Sequence, residues 1–565
     1  MSFSDRLKRV FSKENALTLA LWAGPLLFLA VFFYYPLAAI FTTSFSELNW
    51  AKVQPTQITR PLSFTLLQAT LSTLLTLLAG LPAAYVFARY EFKGKRLLQA
   101  LITLPFIMPT VVAAAGFNAL LGPRGWVNLG LMGLFNLENP PIVFLNTLWA
   151  ILLAHVFYNT TIVIRLVGSA WQGIDVRLEQ AAATLGADPW QTFRAITWPL
   201  LRPAVLAAAL LVFIFDFTSF GVVLILGGPQ FATLEVDIYT QAMTMLNLPL
   251  AGLLSIVQMI CMLVLTLLHN RLGGGSFVAL SSRMRQAAAR WPRTLRQKLL
   301  VGGVVIFLLT LMISPLAALA ARSFTRLEAG RGERGAVMPG LTLTYYMELF
   351  QNRRGSLFYV PPVQALGNSM LFAAGTAALA LPLGFLASYA LRRKTRLNRW
   401  LDALLMLPLG TSAVTLGLGF VLVFNRPPLD LHTFAFNLSL AHSLVALPFV
   451  VRTLLPALSS IPTSLRQSAA VLGAGPLRAW LLVELPLVAR AALVAGVFAF
   501  TLSLGEFGAT SFLARPEQPT LPVAIYRFLS QPGALNYGQA LAMSTLLMAF
   551  TTLGVFLIDK FGYKQ

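Results

Sequence analysis

The chain has 565 residues, 57% of them hydrophobic and only 11% charged, with a mean hydropathy of +0.74 and a net charge of +22. That composition excludes a soluble globular protein. Positive charge scattered over short loops excludes nucleic acid as a partner and fits loops held on one side of a membrane, against anionic lipid.

Crossing a hydrocarbon layer takes about 20 apolar residues per helix. Twelve such stretches centre near Phe28, Leu75, Val111, Leu153, Leu211 and Cys261, then Thr310, Ala378, Leu416, Val445, Ala495 and Leu547. The chain therefore reads as an all-α polytopic membrane protein with six helices in each half. The first stretch is too long for a signal-peptide core and lacks a small-residue cleavage site, so it counts as a helix. Lys8, Arg9 and Lys13 place the N-terminus in the cytoplasm, and the C-terminus follows it there. Arg89, Lys93, Lys95 and Arg96 fall on the same side. The halves span residues 1–269 and 299–565, joined by a basic cytoplasmic linker, 270–298, with seven basic residues and no acidic one. The predicted outer loop from Arg322 to Gln364 runs against the rule, with six Arg and three Glu, but is long enough for the rule to weaken. Cys261 stands alone, which leaves neither a disulfide framework nor a cysteine metal site.

One polar island is written twice: QAAATLGADPWQTFRAITWP from Gln180 to Pro199 and QSAAVLGAGPLRAWLLVELP from Gln467 to Pro486, within loops 179–203 and 466–490. Each reads as a helix stopped by a glycine, Gly186 or Gly473, suited to a left-handed turn. A second helix follows, with Asp188 or the weaker Gly475 as cap and Pro189 or Pro476 at its first position. The turn presents residues from Ala187 to Phe193, or Ala474 to Trp480, as a compact knob. Ala181 and Ala182, and Ala469 in the second copy, are small enough for close packing.

A constant shift of 287 residues pairs His155 with His442, Arg165 with Arg452, Phe220 with Phe507, Gly221 with Gly508, and Tyr239 with Tyr526, which marks a duplication. Upstream, the same comparison pairs Pro82 with Pro382 and Pro105 with Pro408. A unit with an even number of spans must repeat in the same orientation, so the halves are parallel, with a pathway between them.

The islands resemble the cytoplasmic motif of permease subunits of binding-protein-dependent ABC importers: EAA, three residues, Gly, nine residues, Ile, one residue, Leu-Pro. The spacing is kept twice, through Gly186, Ile196 and Pro199, and through Gly473, Val483, Leu485 and Pro486. Gln180 and Gln467 replace the leading Glu, and Glu179 is the candidate substitute in the first copy. The segments LLAHVFYN, LILGGPQFATLEVDIYTQA and SLGEFGATSFLARPEQPTLPVAIYRFL extend the likeness to the fused twelve-helix permeases of the iron(III) and thiamine importers. The resemblance implies a bacterial inner-membrane subunit that docks two copies of a cytoplasmic ABC ATPase through the islands. It also implies an extracytoplasmic solute-binding protein. No phosphate-cradling G-x-x-x-x-G-K-[ST] run is present, so the chain itself is not read as an enzyme and carries no cofactor, ATP being bound by the partner.

An ionised group in mid-membrane costs about 2.5–3.5 kcal/mol on insertion scales, so Asp216 and Glu506 are candidates for the pathway. They are not repeat equivalents: Asp216 pairs with Ser503, and Ser219 with Glu506, one helical turn apart on a shared face, so Ser219 and Ser503 join them as pathway candidates. His155 and His442 read as hydrogen-bonded interior residues rather than metal ligands. Arg165 and Arg452 read as interface anchors, and Gly221 and Gly508 as close-packing positions or hinges. Thiamine and ferric iron are the leading substrates, with a polyamine or another small ion behind them. An ion-coupled secondary transporter is the alternative function.

Overall fold

A computed structural model describes residues 13–273, 289–326, 340–352, 360–425, 430, 434 and 436–562. Lys8 and Arg9, residues 274–288 of the linker, and the outer-loop Arg331, Arg334, Arg353 and Arg354 lie outside the described residues. The first half consists of α1 (Ala20–Ser46), α2 (Thr56–Arg89), α3 (Lys95–Ile107, then Thr110–Phe135), α4 (Leu148–Gln172), α5 (Pro189–Phe217) and α6 (Leu248–Leu272). The second consists of α7 (Leu295–Ser323), α8 (Val363–Leu391), α9 (Arg396–Gly410, then Ala413–Phe424), α10 (Asn437–Ser459), α11 (Leu477–Gly505) and α12 (Ala534–Ile558). Every predicted centre lies in one of these spans.

Ten spans are continuous, whereas α3 and α9 bend by 109° and 95°. In α3 the break is local chemistry: Met108 is extended (φ −65, ψ 139) because Pro109 follows it and disfavours a helical conformation at the preceding residue. In α9 Thr411 is extended, and the Ser412 hydroxyl accepts the Thr415 N–H at 3.1 Å to restart the helix. Both breaks leave backbone away from helical pairing at membrane depth, which is tolerated only where it is enclosed by protein or faces a cavity.

Within each half the second, fourth and fifth helices pack on one another. Small residues allow the approach: a Cβ added to Gly80 would lie 2.6 Å from Val163 Cβ, and one on Gly384 would lie 2.4 Å from Val450 Cγ1. The Thr65 hydroxyl accepts the Leu234 N–H at 2.9 Å, and the Ser369 hydroxyl accepts the Leu521 N–H at 2.7 Å. Val163 and Leu234 map to Val450 and Leu521 by the 287 shift, but Gly80 and Thr65 map to Gly384 and Ser369 by a shift of 304. The expected pairing of Pro82 with Pro382 is therefore wrong by about one helical turn. Contact with a neighbouring helix sets the register of these helices, and a proline ring within a helix specifies no such partner.

The first helix of each half packs on the last helix of its own half and also reaches across to the other half. Pro36 of α1 lies on Gly419 of α9, 2.9 Å from a Cβ built there, and the Pro315 carbonyl oxygen of α7 lies 2.9 Å from a Cβ built on Gly116 of α3. Trp22 of α1 also donates its indole N–H to Asn398 Oδ1 across the halves at 3.0 Å, both side chains being buried. On the axis relating the halves, the repeat equivalents Phe220 and Phe507 stack on each other, with centroids 5.5 Å apart and planes inclined by 26°.

Candidate functional site

Both islands fold as helix, glycine turn and helix. Gly186 and Gly473 have φ +86 and +78, the left-handed region that other residues enter at a cost. The turn is closed identically: Ala187 N–H reaches Ala182 O and Ala474 N–H reaches Ala469 O, at 3.0 and 2.9 Å. Asp188 caps the second helix by accepting the Gln191 N–H at 2.8 Å, and Gln191 returns an acceptor to Asp188 N–H at 3.0 Å. Pro189 and Pro476 open the short helices Pro189–Thr192 and Pro476–Ala479. Each chain then makes one wide, π-type turn, Phe193–Thr197 or Trp480–Glu484, and runs through Pro199 or Pro486 into the fifth helix of its half. Gln180, Ala181 and Gln467 are exposed, and Ala469 is buried. The knobs also expose large apolar side chains at matching positions: Leu185 and Leu472 are 88% and 86% exposed, Trp190 and Leu477 66% and 70%. Exposed apolar patches of this kind are suited to contact with a protein or a membrane.

Each island is tethered to the second helix of its half by a carboxylate, half-buried at Glu179 and buried at Glu484, supplied from a different position in each copy. Arg89 at the end of α2 pairs with Glu179, which also accepts from the Thr197 hydroxyl at 3.1 Å. In the second copy Glu484 stands in the position of Thr197 and pairs with Arg466, which stands in the position of Glu179, and with Arg392 at 3.7 Å. Glu179 is thus held by Arg89 and Thr197 while remaining partly exposed.

Between the halves lies a cavity of about 440 Å³, lined by Asp216, Ser219 and Glu506, by the broken segments of α3 and α9, and by Phe220 and Phe507. Asp216 sits near the end of α5, where Oδ1 accepts from Asn159 Nδ2 at 2.6 Å and the main-chain oxygen accepts from Gln68 Nε2 at 2.8 Å. Its Oδ2 has no hydrogen-bond partner among the described residues, although the residue is fully buried. Glu506 closes α11 and accepts the N–H groups of Ala509 and Thr510 at 2.9 and 3.0 Å and the Thr510 hydroxyl at 2.7 Å.

The two histidines explain the offset between the carboxylates. His155 Nδ1 is 3.4 Å from Asp216 Oδ1 and 2.9 Å from Ser72 Oγ, and its Nε2 is 2.8 Å from Ser219 Oγ. His442 Nδ1 is 2.7 Å from Ser503 Oγ, and its Nε2 is 3.1 Å from Glu506 Oε2 and 2.9 Å from Thr510 Oγ1. In both halves, the same ring nitrogen faces the same helix position; serine and carboxylate have simply changed places. Ser503 is occupied by His442 and by Thr376 at 3.0 Å and is not among the cavity-lining residues.

Sequence reasoning missed a third cavity carboxylate. Glu235, on the short helix Leu234–Tyr239 after α5, is buried, accepts from Gln258, and accepts from the Ser412 hydroxyl at the break in α9 at 3.0 Å. Its repeat position is Pro522, so the duplication gives no hint of it. Gly221 and Gly508 follow the fifth helices rather than lying within them. A Cβ on Gly221 would meet Thr110 Oγ1 at 2.3 Å and one on Gly508 would meet Ala413 Cβ at 2.9 Å, which makes both close-packing positions.

The profile of the family described as binding-protein-dependent transport system inner membrane component matches residues 76–286 and 380–562. The chain is 28% identical over 524 residues to the thiamine transport system permease protein ThiP of Escherichia coli, covering 89% of each chain. It is 27% identical over 539 residues to the protein of that name from Haemophilus influenzae, covering 93% of this chain and 94% of that one. It is also 27% identical over 578 residues to the probable ABC transporter permease protein y4fN of Sinorhizobium fredii, covering 99% and 98%. Among solved structures, a chain of the bacterial alginate ABC transporter in complex with an alginate pentasaccharide-bound periplasmic protein gives a TM-score of 0.40 at 20% identity. That match covers 47% of this chain and 95% of the other.

Proposed function

This chain belongs to the family of binding-protein-dependent transport system inner membrane components, and from that premise we propose that it carries an organic cation of the thiamine type across a bacterial inner membrane, driven by two partner ATPases. It is a fused, multi-pass ABC importer permease with two copies of the family domain. The observation that carries the finer reading is that each exposed knob and each histidine-paired carboxylate are the two ends of one helix. α5 runs from Pro189 to Phe217 and holds Asp216; α11 runs from Leu477 to Gly505 and delivers Glu506. A push on a knob therefore reaches the cavity along a rigid element, and the Arg89–Glu179 and Arg392–Glu484–Arg466 contacts carry it to α2 and α8 as well.

The cavity supports the choice of cation. Asp216, Glu235 and Glu506 put three carboxylates around it, and the free Oδ2 of Asp216 is an acceptor waiting for a donor. The stacked Phe220 and Phe507, backed by Tyr239 at 5.4 Å and Tyr526 at 5.5 Å, add an aromatic cluster to the cavity lining beside which a cationic ring is favoured. Thiamine satisfies both requirements; ferric iron uses only the carboxylates. In this reading both termini are cytoplasmic, a solute-binding protein delivers substrate to the opposite face, and the chain needs no cofactor because the partner subunits bind ATP. To test the docking role, Gly186 and Gly473 are both changed to Val, which strains the turns without a clash, since a Cβ at either site has nothing within 4 Å. The ATPase should no longer copurify in detergent; unchanged copurification would sink the assignment.

A further inference from the structure

At the island end of half one, an open polar groove of about 590 Å³, with Arg96, Gln99, Arg165 and Ser169 exposed, lies between α2, α3 and α4. It is lined by Arg96, Gln99, Thr103, Arg165, Ser169 and Gln172, and no lining residue is acidic. Arg165 donates to the Thr103 hydroxyl at 2.7 Å, a neutral partner, and is otherwise exposed. The duplicated half provides the control. Arg452 is the equivalent of Arg165, and Asp402, by the 303 shift that pairs Gly116 with Gly419, is the equivalent of Gln99. There the two form an ion pair, Arg452 Nη2 to Asp402 Oδ2, at 3.1 Å. Half one has the same arginine, Arg96 at the position of Arg399, and an amide where the neutralising carboxylate would stand.

We propose that this pocket is an anion site that binds a phosphate group through Arg96 and Arg165, with Gln99 and Ser169 as further hydrogen-bonding groups. The chemistry is that of charge-assisted hydrogen bonds from guanidinium to phosphate oxygen. A phospholipid headgroup and a soluble phosphate ester share it. The lipid fits a site at the end of a membrane helix, where anionic headgroups concentrate basic segments. The inference is independent of the cation pathway, since it uses none of the cavity residues.

The test uses the full chain purified in neutral detergent, with native mass spectrometry and thermal unfolding as readouts. One arm adds phosphatidylglycerol against a phosphatidylcholine control, and the other adds inorganic pyrophosphate. Tight binding of one anion per chain is expected. Gln99→Asp rebuilds the arrangement of half two while keeping both arginines, and it and Arg165→Gln should each weaken binding by about tenfold or more, the loss of one charge-assisted contact. Retention of phosphatidylglycerol but not pyrophosphate identifies a lipid site, and the reverse identifies a soluble ligand. Failure of both probes to bind, or binding untouched by Gln99→Asp and Arg165→Gln, overturns the proposal. Should those two variants not fold, Arg96→Gln decides: weakened binding upholds the proposal and unchanged binding overturns it.

Discussion

Because serine and carboxylate have exchanged places around the two histidines, the half-two arrangement can be transplanted into half one. Asp216→Ser removes the carboxylate beside His155, together with the acceptor of Asn159 Nδ2 at 2.6 Å. If the substrate cation makes one charge-assisted contact there, about 1.5–3 kcal/mol is lost, which is a roughly 10- to 150-fold fall in uptake at subsaturating substrate. Adding Ser219→Glu restores a carboxylate at the position that Glu506 occupies in half two, three residues along the same face. Ser219 already lines the cavity, so the longer side chain has space, and its Oγ is 2.8 Å from His155 Nε2, the nitrogen that faces glutamate in the other half. The double variant should recover most of the loss, to within roughly threefold of the unmodified chain, about 0.7 kcal/mol. The assay is the initial rate of labelled thiamine uptake into liposomes holding the assembled importer, read as a double-mutant cycle. A double variant no better than Asp216→Ser alone would refute the equivalence of the two positions.

Glu484→Gln should destabilise the chain by about 2–3 kcal/mol. That is below the ~3–5 of a fully buried pair because the Arg466 side chain is 32% exposed, though Arg392 is only 14% exposed. Glu179→Gln, with a more exposed carboxylate, should cost about 1 kcal/mol; thermal unfolding in detergent checks the order. Gly384→Val places methyl groups against Val450 and should cost about 1–3 kcal/mol or more, whereas Gly302→Ala, with nothing within 4 Å of the new Cβ, should be neutral or stabilising by about 0.5 kcal/mol. Asn398→Ala deprives the Trp22 indole and the Ala390 carbonyl of partners at 3.0 and 2.7 Å. It should cost about 1–3 kcal/mol and loosen α1 from the second half, measured by cross-linking yield between engineered cysteines in α1 and α8.

Hydropathy located the ten continuous spans and the two bent helix pairs, and cap chemistry at Asp188, Pro189, Gly186 and Gly473 located the island turns, because both are set by residues close in sequence. The breaks in α3 and α9 were hidden by averaging: a window over 18 or more residues stays apolar across Pro109 and Ser412 although the backbone turns there. The crossing of α1 and α7 into opposite halves depends on Pro36 meeting Gly419 and Pro315 meeting Gly116, contacts between residues hundreds apart that no local pattern encodes. Asp216 and Glu506 stood out as charges in apolar runs. Glu235 did not, because TLEVDIY between two spans reads as an ordinary polar connection until the fold carries it back against Ser412. The swapped acids at Glu179 and Glu484 were each visible, but their common task appears only once Arg89 and Arg392 are seen beside them.

The most direct test is uptake into liposomes that contain this chain, its copurifying ATPase and its binding protein, with labelled thiamine and ferric iron supplied in parallel. Thiamine should accumulate only when ATP, the ATPase and the binding protein are all present, and Glu235→Gln should reduce its uptake. Accumulation of iron instead would leave the coupling intact and overturn the reading of the cavity. Accumulation of thiamine without any ATPase would contradict the account at its centre.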